Sequence, residues 1–418
     1  MIEPSFDTPI ERSQTDSYKW RKYGPGVIPM WIADMDFASP EPVIRALRER
    51  VEHGVFGYPD GLHNFSEDLP DLPSVIVDRM AERYQWQIQP QDIYLLPGVI
   101  PGLNMACLSA GRPADAASSV HENARSAGVL VQTPVYPPIF QAAETTSRLH
   151  QEAALERMRD GSYQVDWTAF ETAITEQTRL FILCNPHNPV GKVYQQTELE
   201  RIAETCLRHD LLICSDEIHC DLIYPGYRHI PIASLDAEIA GRSITLMAPS
   251  KTFNLPGLQC AFAIITNPEL RQSFTRVGNG LVSWVGLMGL VAAQAAYCCG
   301  QEWLDQLIPY LEQNRDYLVE YISQELPGIQ AGTPASTYLA WLDCRGTGLD
   351  GSTPELNPYF FFLEKAGVAL NDGEHFGREG RGFVRLNFAC PRSRLEEALN
   401  RMKKALSKHS PNTMLMRR

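Results

Sequence analysis

Residues 243–254 read Ser-Ile-Thr-Leu-Met-Ala-Pro-Ser-Lys-Thr-Phe-Asn. The first six, Ser243–Ala248, form a near-continuous apolar run of strand length, closed by Pro249. Runs of this kind belong to parallel strands that helices cover on both faces. Lys251 follows directly, and it carries the only charge between Ser243 and Asn267. Taken alone, a lysine at a strand end is a solvated surface residue. In an uncharged setting it is a partly desolvated amine, whose pKa falls and which becomes a nucleophile able to form a Schiff base.

Five similar runs lie on either side: Asp92–Leu96, Val129–Thr133, Leu180–Cys184, Leu211–Ser215 and Ala261–Thr266. Helical stretches such as Gly102–Ala110, Glu198–His209 and Glu269–Val277 separate them. Strands alternating with helices over roughly residues 56–300 predict an α/β domain on a mostly parallel central sheet. A long helical stretch follows, Val285–Leu326, with an interruption expected near Pro309. The remainder, 301–418, reads as a smaller α+β domain with strands at Thr337–Leu342, Val368–Leu370 and Gly382–Phe388 and a closing helix at Arg392–Leu406. Residues 1–55 form a segment expected to join that smaller domain. It contains a helix, Glu41–His53, entered through Ser39 as N-cap with Pro40 at the first turn, and ended by Gly54.

Composition narrows the partners. Of 418 residues, 44% are hydrophobic and 21% charged, the balance of an ordinary globular protein. A net charge of −13 disfavours nucleic acid and anionic lipid. No apolar run approaches a membrane span, and the N-terminus lacks a basic-then-apolar signal pattern, so a cytoplasmic location is expected. The ten cysteines are scattered without a Cys-x-x-Cys pair, as reduced and buried thiols would be. Cys214, His219 and Cys220 lie close together, but Cys214 closes an apolar strand and no second ligand cluster has zinc spacing, so no metal is expected. The Ala- and Ser-rich stretch Pro113–Gly128 reads as a peripheral loop or extra helical turn.

Open α/β sheets bind ligands beyond the carboxyl ends of their strands. After Leu180–Cys184 come two Asn-Pro pairs, Asn185-Pro-His-Asn188-Pro-Val-Gly191. Both are turn formers, and each asparagine amide can also donate into a cleft. After Leu211–Ser215 comes Asp216-Glu217, either a helix N-cap or a carboxylate that holds a cationic ring nitrogen. Pro97-Gly-Val99-Ile100-Pro-Gly102 opens a helix whose free N–H groups suit an anion such as phosphate. Tyr136, among prolines, is an aromatic turn residue or a ring that stacks on a ligand. Lysine, carboxylate, amide, aromatic ring and phosphate cup are jointly the parts that pyridoxal 5′-phosphate requires.

The order Asn188-Pro-Val-Gly191, Asp216, Ser250-Lys251 resembles the fold-type I (aspartate aminotransferase-like) family of pyridoxal phosphate enzymes. Within it the chain is similar to the PatB/MalY group of cystathionine β-lyases or C–S lyases. The stretches that carry this are Trp31-Ile-Ala33-Asp-Met-Asp-Phe37, Gly54-Val-Phe-Gly-Tyr58-Pro59, Gln132-Thr-Pro-Val-Tyr136, Ser215-Asp-Glu-Ile-His219-Cys-Asp221 and Phe383-Val-Arg385-Leu-Asn387. The resemblance implies that Lys251 bonds the cofactor covalently, Asp216 pairs with its ring nitrogen, Asn188 bonds its ring hydroxyl oxygen and Tyr136 stacks on the ring. It implies that Val99, Ile100 and Ser250 hold the phosphate, and that Arg385, with Ala33 alongside, binds the substrate. A structural salt bridge is the other reading of Arg385. Tyr58 resembles a tyrosine that reaches a partner subunit's site, which implies a homodimer.

Two positions depart from the wider family. His219 stands where many aminotransferases have a tyrosine, as in the lyase group, and is counted with the cofactor contacts. Gln259 replaces a common phosphate-binding arginine. The implied reaction is β-elimination from an S-substituted cysteine such as L-cystathionine, giving a thiol, pyruvate and ammonia, with the freed Lys251 amine as base for the Cα proton. An aminotransferase would use the same site. A non-catalytic regulator on this fold is a third reading, against which stand the intact set Lys251, Asp216, Asn188 and Arg385 and an N-terminal segment too short for a helix-turn-helix domain.

Overall fold

The computed structural model describes residues 6–59, 70–110 and 127–409. The stretch expected to be peripheral, Pro113–Gly128, therefore lies outside the described residues as far as 126.

An eight-stranded sheet is central. Its order is Ile93–Leu96, Ala261–Ile264, Ser243–Met247, Leu212–Asp216, Thr178–Cys184, Gly128–Thr133, Leu149–Arg157 and Tyr163–Val165. The five strands from Ser243–Met247 to Leu149–Arg157 pair in parallel. Ala261–Ile264 is antiparallel to both of its neighbours, and Tyr163–Val165 to the strand beside it. Ile93–Leu96 is thereby returned to the direction of the central strands. Its carboxyl end, and those of the strands ending at Thr133, Cys184, Asp216 and Met247, share one edge.

The apolar runs have their expected cause. Val129, Val131, Ile182 and Cys214 pack into the layer on one face, and Leu130, Phe181, Leu183 and Ile213 into the layer on the other. With both faces buried, neither carries a polar period. The strand Leu149–Arg157 escaped the sequence reading because only Ala153 and Leu155 are buried along it.

Three expectations about helices need correction. The helix placed at Gly102–Ala110 spans Val99–Ser109, one turn earlier. Gly102 lets it sit close on the sheet: a Cβ there would lie 2.8 Å from Leu246 Cδ2 and 3.0 Å from Leu96 Cδ1. The long helical stretch breaks at Gly300, not at Pro309, giving helices Leu287–Cys299 and Gln301–Glu325 with Pro309 inside the second. A side chain at Gly300 would meet Ala296 O at 2.4 Å and the Phe253 ring at 2.7 Å, so the chain turns where only hydrogen fits. Ser39 does not cap Glu41–His53; Pro40 holds the cap position without a side-chain bond, and Ser39 Oγ donates to Asn254 O at 3.0 Å.

Toward the C-terminus, Gln330–Ala331, Leu339–Asp343, Phe383–Asn387 and Asn371–Asp372 form an antiparallel four-stranded sheet, and Arg392–Leu406 is helical as read. Ile28–Pro29 pairs in parallel with Val368–Ala369. All ten cysteines are free; eight are buried, but Cys298 is only partly so and Cys299 is exposed at the end of its helix, against the expectation of buried thiols throughout. Among the described residues no helix is long and apolar enough to cross a membrane.

Candidate active site

A cavity of about 670 Å³ opens at the shared carboxyl edge of the sheet. Lys251, Asp216, Asn188, Tyr136, His219, Val99, Ile100, Ser250, Ala33 and Arg385 all line it. Residues more than 300 positions apart meet there: most follow a strand that ends on that edge, Arg385 occupies a strand of the smaller sheet, and Ala33 lies in the irregular segment Trp31–Phe37.

Lys251 sits in a one-turn helix, Pro249–Thr252, after its strand. Its Nζ donates to Ala33 O at 2.8 Å. Burial pushes its pKa down to about 8, the nearby Arg385 charge pushes the same way, and Asp34 and Asp216 oppose them. Asp216 ends its own strand, 3% exposed, and accepts from Ile218 N at 3.2 Å through Oδ1. Desolvation raises its carboxyl to about 7, with the neighbouring Glu217 charge adding to the rise. The two carboxylates of the Asp216-Glu217 pair part company. Glu217 is held away from the cavity by Ser215 Oγ and His229 Nε2, each at 2.7 Å.

The two Asn-Pro pairs also separate. Asn185 Nδ2 donates to Ile230 O at 3.1 Å and contributes nothing to the cavity wall, so of the two amides able to donate into a cleft this one does not. Asn188 does line it, and its Oδ1 accepts from Arg385 NH1 at 2.9 Å, which leaves Nδ2 as the end available to a ligand. Tyr136 stands at the start of helix Pro137–Thr145, its backbone N bonded to Asn188 O at 3.0 Å. The wall at Val99 and Ile100 is the first turn of helix Val99–Ser109, which has no side-chain cap, so its N–H groups remain free for an anion.

Arg385 is 3% exposed and faces the cavity from strand Phe383–Asn387. It donates to Asn188 Oδ1, to Asn371 Oδ1 at 2.7 Å and to Trp31 O at 3.2 Å, all uncharged acceptors. Among the described residues its Nε has no hydrogen-bond partner, and burial lowers its pKa to about 10. The salt-bridge alternative is thus not realised with any described residue. His219 is buried with its ring edge against Tyr338, centroids 6.1 Å apart, and Nδ1 lacks a partner among the described residues. Burial, with the charges of Lys251 and Arg385, holds its pKa well below the usual imidazole range, so it is neutral.

Tyr58 lies elsewhere. It is 93% exposed and packs its ring edge on Trp284 at 5.6 Å, outside the wall of its own chain's cavity. Sequence reasoning missed Asn371, Ser283 and Cys184, which line the cavity, and Tyr338 and Asn254 behind it. Asn371 directly follows a short apolar run, and a search beyond strand ends in the C-terminal part would have found it. Tyr338 and Asn254 act through backbone contacts that leave no signature in sequence.

The residues fit pyridoxal 5′-phosphate. They comprise a free amine, a carboxyl able to meet a ring nitrogen, an amide turned inward, an aromatic ring, free helix N–H groups and the Ser250 hydroxyl. The orphaned polar atoms on Arg385 and His219 mark a cavity built for a polar occupant. Among the described residues no three His, Cys, Asp or Glu side chains are arranged to hold a metal ion.

Comparison with known proteins places these features in a family. The model of aminotransferases of class I and II matches residues 27–402. Cystathionine β-lyase PatB of Bacillus subtilis is 39% identical over 415 residues, covering 96% of this chain and all of that protein. The crystal structure of OvoB is 42% identical, with a TM-score of 0.86 over 96% of this chain and 99% of that one. Cystalysin from Treponema denticola, whose structure contains pyridoxal 5′-phosphate, is 32% identical with a TM-score of 0.86 over 97% of this chain and 99% of its own. A match this long, over a cavity furnished in this way, makes the chain a member of the class I and II aminotransferase family.

Proposed function

We propose that this chain is a pyridoxal 5′-phosphate-dependent carbon–sulfur lyase that eliminates the thiol from an S-substituted L-cysteine, L-cystathionine being the first candidate. The observation that carries this is a buried guanidinium, Arg385, with only uncharged partners among the described residues, sharing a cavity with the Lys251 amine and the Asp216 carboxyl. The name of PatB, a cystathionine β-lyase, supports the lyase reading over an aminotransferase.

When bound, the cofactor supplies an electron sink for negative charge at the substrate Cα. Lys251 would hold it covalently, and as a free amine would take the Cα proton of the bound substrate; a pKa near 8 leaves a useful fraction of free amine at neutral pH. The Asp216 carboxylate pairs with the ring nitrogen, a partner that would reverse the pKa rise caused by burial. Asn188 Nδ2 donates to the ring hydroxyl oxygen while Arg385 grips the amide by its other end. Tyr136 and His219 pack beside the ring. Val99 and Ile100 N–H groups and Ser250 receive the phosphate, with Gln259 at the cavity wall in place of a cation. Arg385 binds the substrate α-carboxylate, with Ala33 beside it. The thiolate then leaves from Cβ, and the remaining fragment hydrolyses to pyruvate and ammonia.

The same reading includes a cytoplasmic homodimer in which Tyr58 enters the partner's site. Val55, Phe56, Tyr58, Leu281 and Trp284 are exposed apolar side chains, and Trp284 adjoins Ser283 at the cavity wall. A patch of that kind is a candidate interface. The decisive assay is pyruvate and thiol release from L-cystathionine by the cofactor-loaded protein. Stoichiometric release is expected. No pyruvate, with rapid amino transfer to a 2-oxo acid, would replace the lyase by an aminotransferase.

A further inference from the structure

The segment Trp31–Phe37 contains no helix or strand, yet its carbonyls are taken almost one by one by side chains from distant elements. Trp31 O accepts from Arg385 NH2 at 3.2 Å. Ile32 O and Asp34 O both accept from Asn387 Nδ2 at 2.7 Å. Ala33 O accepts from Lys251 Nζ at 2.8 Å and from Tyr338 OH at 3.1 Å. Met35 O and Phe37 O accept from Asn254 Nδ2 at 3.0 and 2.8 Å, while Met35 N donates to Asn254 Oδ1 at 2.9 Å. Behind the segment, Asp34 and Asp36 are tied to Arg12 and Lys19, and Asp36 also to Arg394. The segment is therefore a strap of fixed shape, and two of its carbonyls serve the two cations of the cavity.

We propose that Asn254 and Tyr338 are positioning residues that act through this strap, holding the Ala33 and Trp31 carbonyls where they set the Lys251 amine and the Arg385 guanidinium in register for one substrate. The inference rests on the assignment of Lys251 as base and Arg385 as carboxylate site. Asn254 stands three residues after Lys251 with φ +57°, a left-handed conformation that asparagine tolerates better than most residues, and its amide spends its bonds on the strap rather than on its own turn. It thus locks the turn bearing Lys251 to the strap. Asn387 locks the strap to the strand bearing Arg385. Tyr338 fixes the carbonyl that Lys251 uses and competes with it for that oxygen. Two cations that repel one another need such fixed acceptors, because a displacement near 1 Å can cost about 100-fold in rate.

The groups facing the Lys251 amine are Arg385 from its strand, Asp34 from the strap, and Asp216 and His219 from the sheet edge, with Tyr338 on the shared carbonyl. Removing the tyrosine hydroxyl gives Lys251 sole use of Ala33 O, which favours the ammonium form and raises the amine's pKa. In Tyr338→Phe the acid limb of the kcat–pH profile should move to higher pH by about 0.5, and kcat at pH 7 should fall about threefold with KM little changed. In the cofactor-stripped full chain, the pH midpoint for labelling Lys251 with an amine-selective reagent, read by mass spectrometry, should move the same way. Asn254→Ala should lower kcat at least tenfold while retaining the cofactor's visible absorbance. Wild-type kcat, pH limb and labelling midpoint in Tyr338→Phe would overturn the proposal, whether or not Asn254→Ala folds. Wild-type turnover in Lys251→Ala would instead overturn the catalytic assignment on which it rests.

Discussion

Replacing Arg385 by methionine separates function from stability. Burial depresses the guanidinium's pKa to about 10, so holding the cation inside the folded chain costs about 3 kcal/mol throughout the pH range below that value. Methionine removes the cost and keeps much of the volume. It also orphans three acceptors, Asn188 Oδ1, Asn371 Oδ1 and Trp31 O, at about 1 kcal/mol each. The two effects nearly cancel, and the Tm of the cofactor-free Arg385→Met protein should lie within about 3 °C of the parent. Catalysis has no such compensation. Loss of a buried charge-assisted contact to a carboxylate costs about 2–5 kcal/mol, or roughly 30- to 4000-fold in kcat/KM. The pair of measurements is a thermal melt of the stripped protein and steady-state pyruvate release from an S-substituted cysteine. A kcat/KM within threefold of the parent would remove Arg385 from substrate binding. A Tm fall of about 10 °C would make it a structural residue after all.

Asp216→Asn tests the second buried charge. A carboxyl raised to about 7 in the folded chain makes the cofactor-free protein lose stability as pH rises from about 4 through 7. The asparagine variant should melt higher than the parent at pH 8, match it near pH 4, and gain less Tm when cofactor is added; an equal Tm difference at both pH values would refute the argument. The proposed homodimer, with Tyr58 in the partner's site, predicts complementation. Mixing Lys251→Ala with Tyr58→Ala, each inactive alone, should restore up to about one quarter of wild-type activity, since a hybrid dimer keeps one intact site; no recovery after verified subunit exchange would confine Tyr58 to a surface role.

Much of this site could be read in one dimension because an α/β sheet converts chain order into place. Lys251, Asp216, Asn188, Tyr136 and the helix start at Val99 each follow an apolar run, and parallel strands deliver all such positions to one edge. The same logic says nothing about which of two adjacent candidates faces the ligand. Asp216 and Glu217 are neighbours of like chemistry, and so, nearly, are Asn185 and Asn188, yet one of each pair lines the cavity and the other is absorbed by the core.

Chain order alone was enough for the parallel core, the placing of a lysine at the sheet edge and the class of cofactor, because these depend on local period and on residues next to strand ends. It took the folded arrangement to show that Arg385 meets only uncharged partners among the described residues, that the helical break falls at Gly300, and that an irregular strap joins Lys251 to Arg385 through Asn254, Asn387 and Tyr338. Those outcomes hang on packing distances and on hydrogen bonds between residues up to 355 positions apart. No period or spacing along the chain encodes contacts of that kind, since the backbone carbonyls they use are the same in every residue.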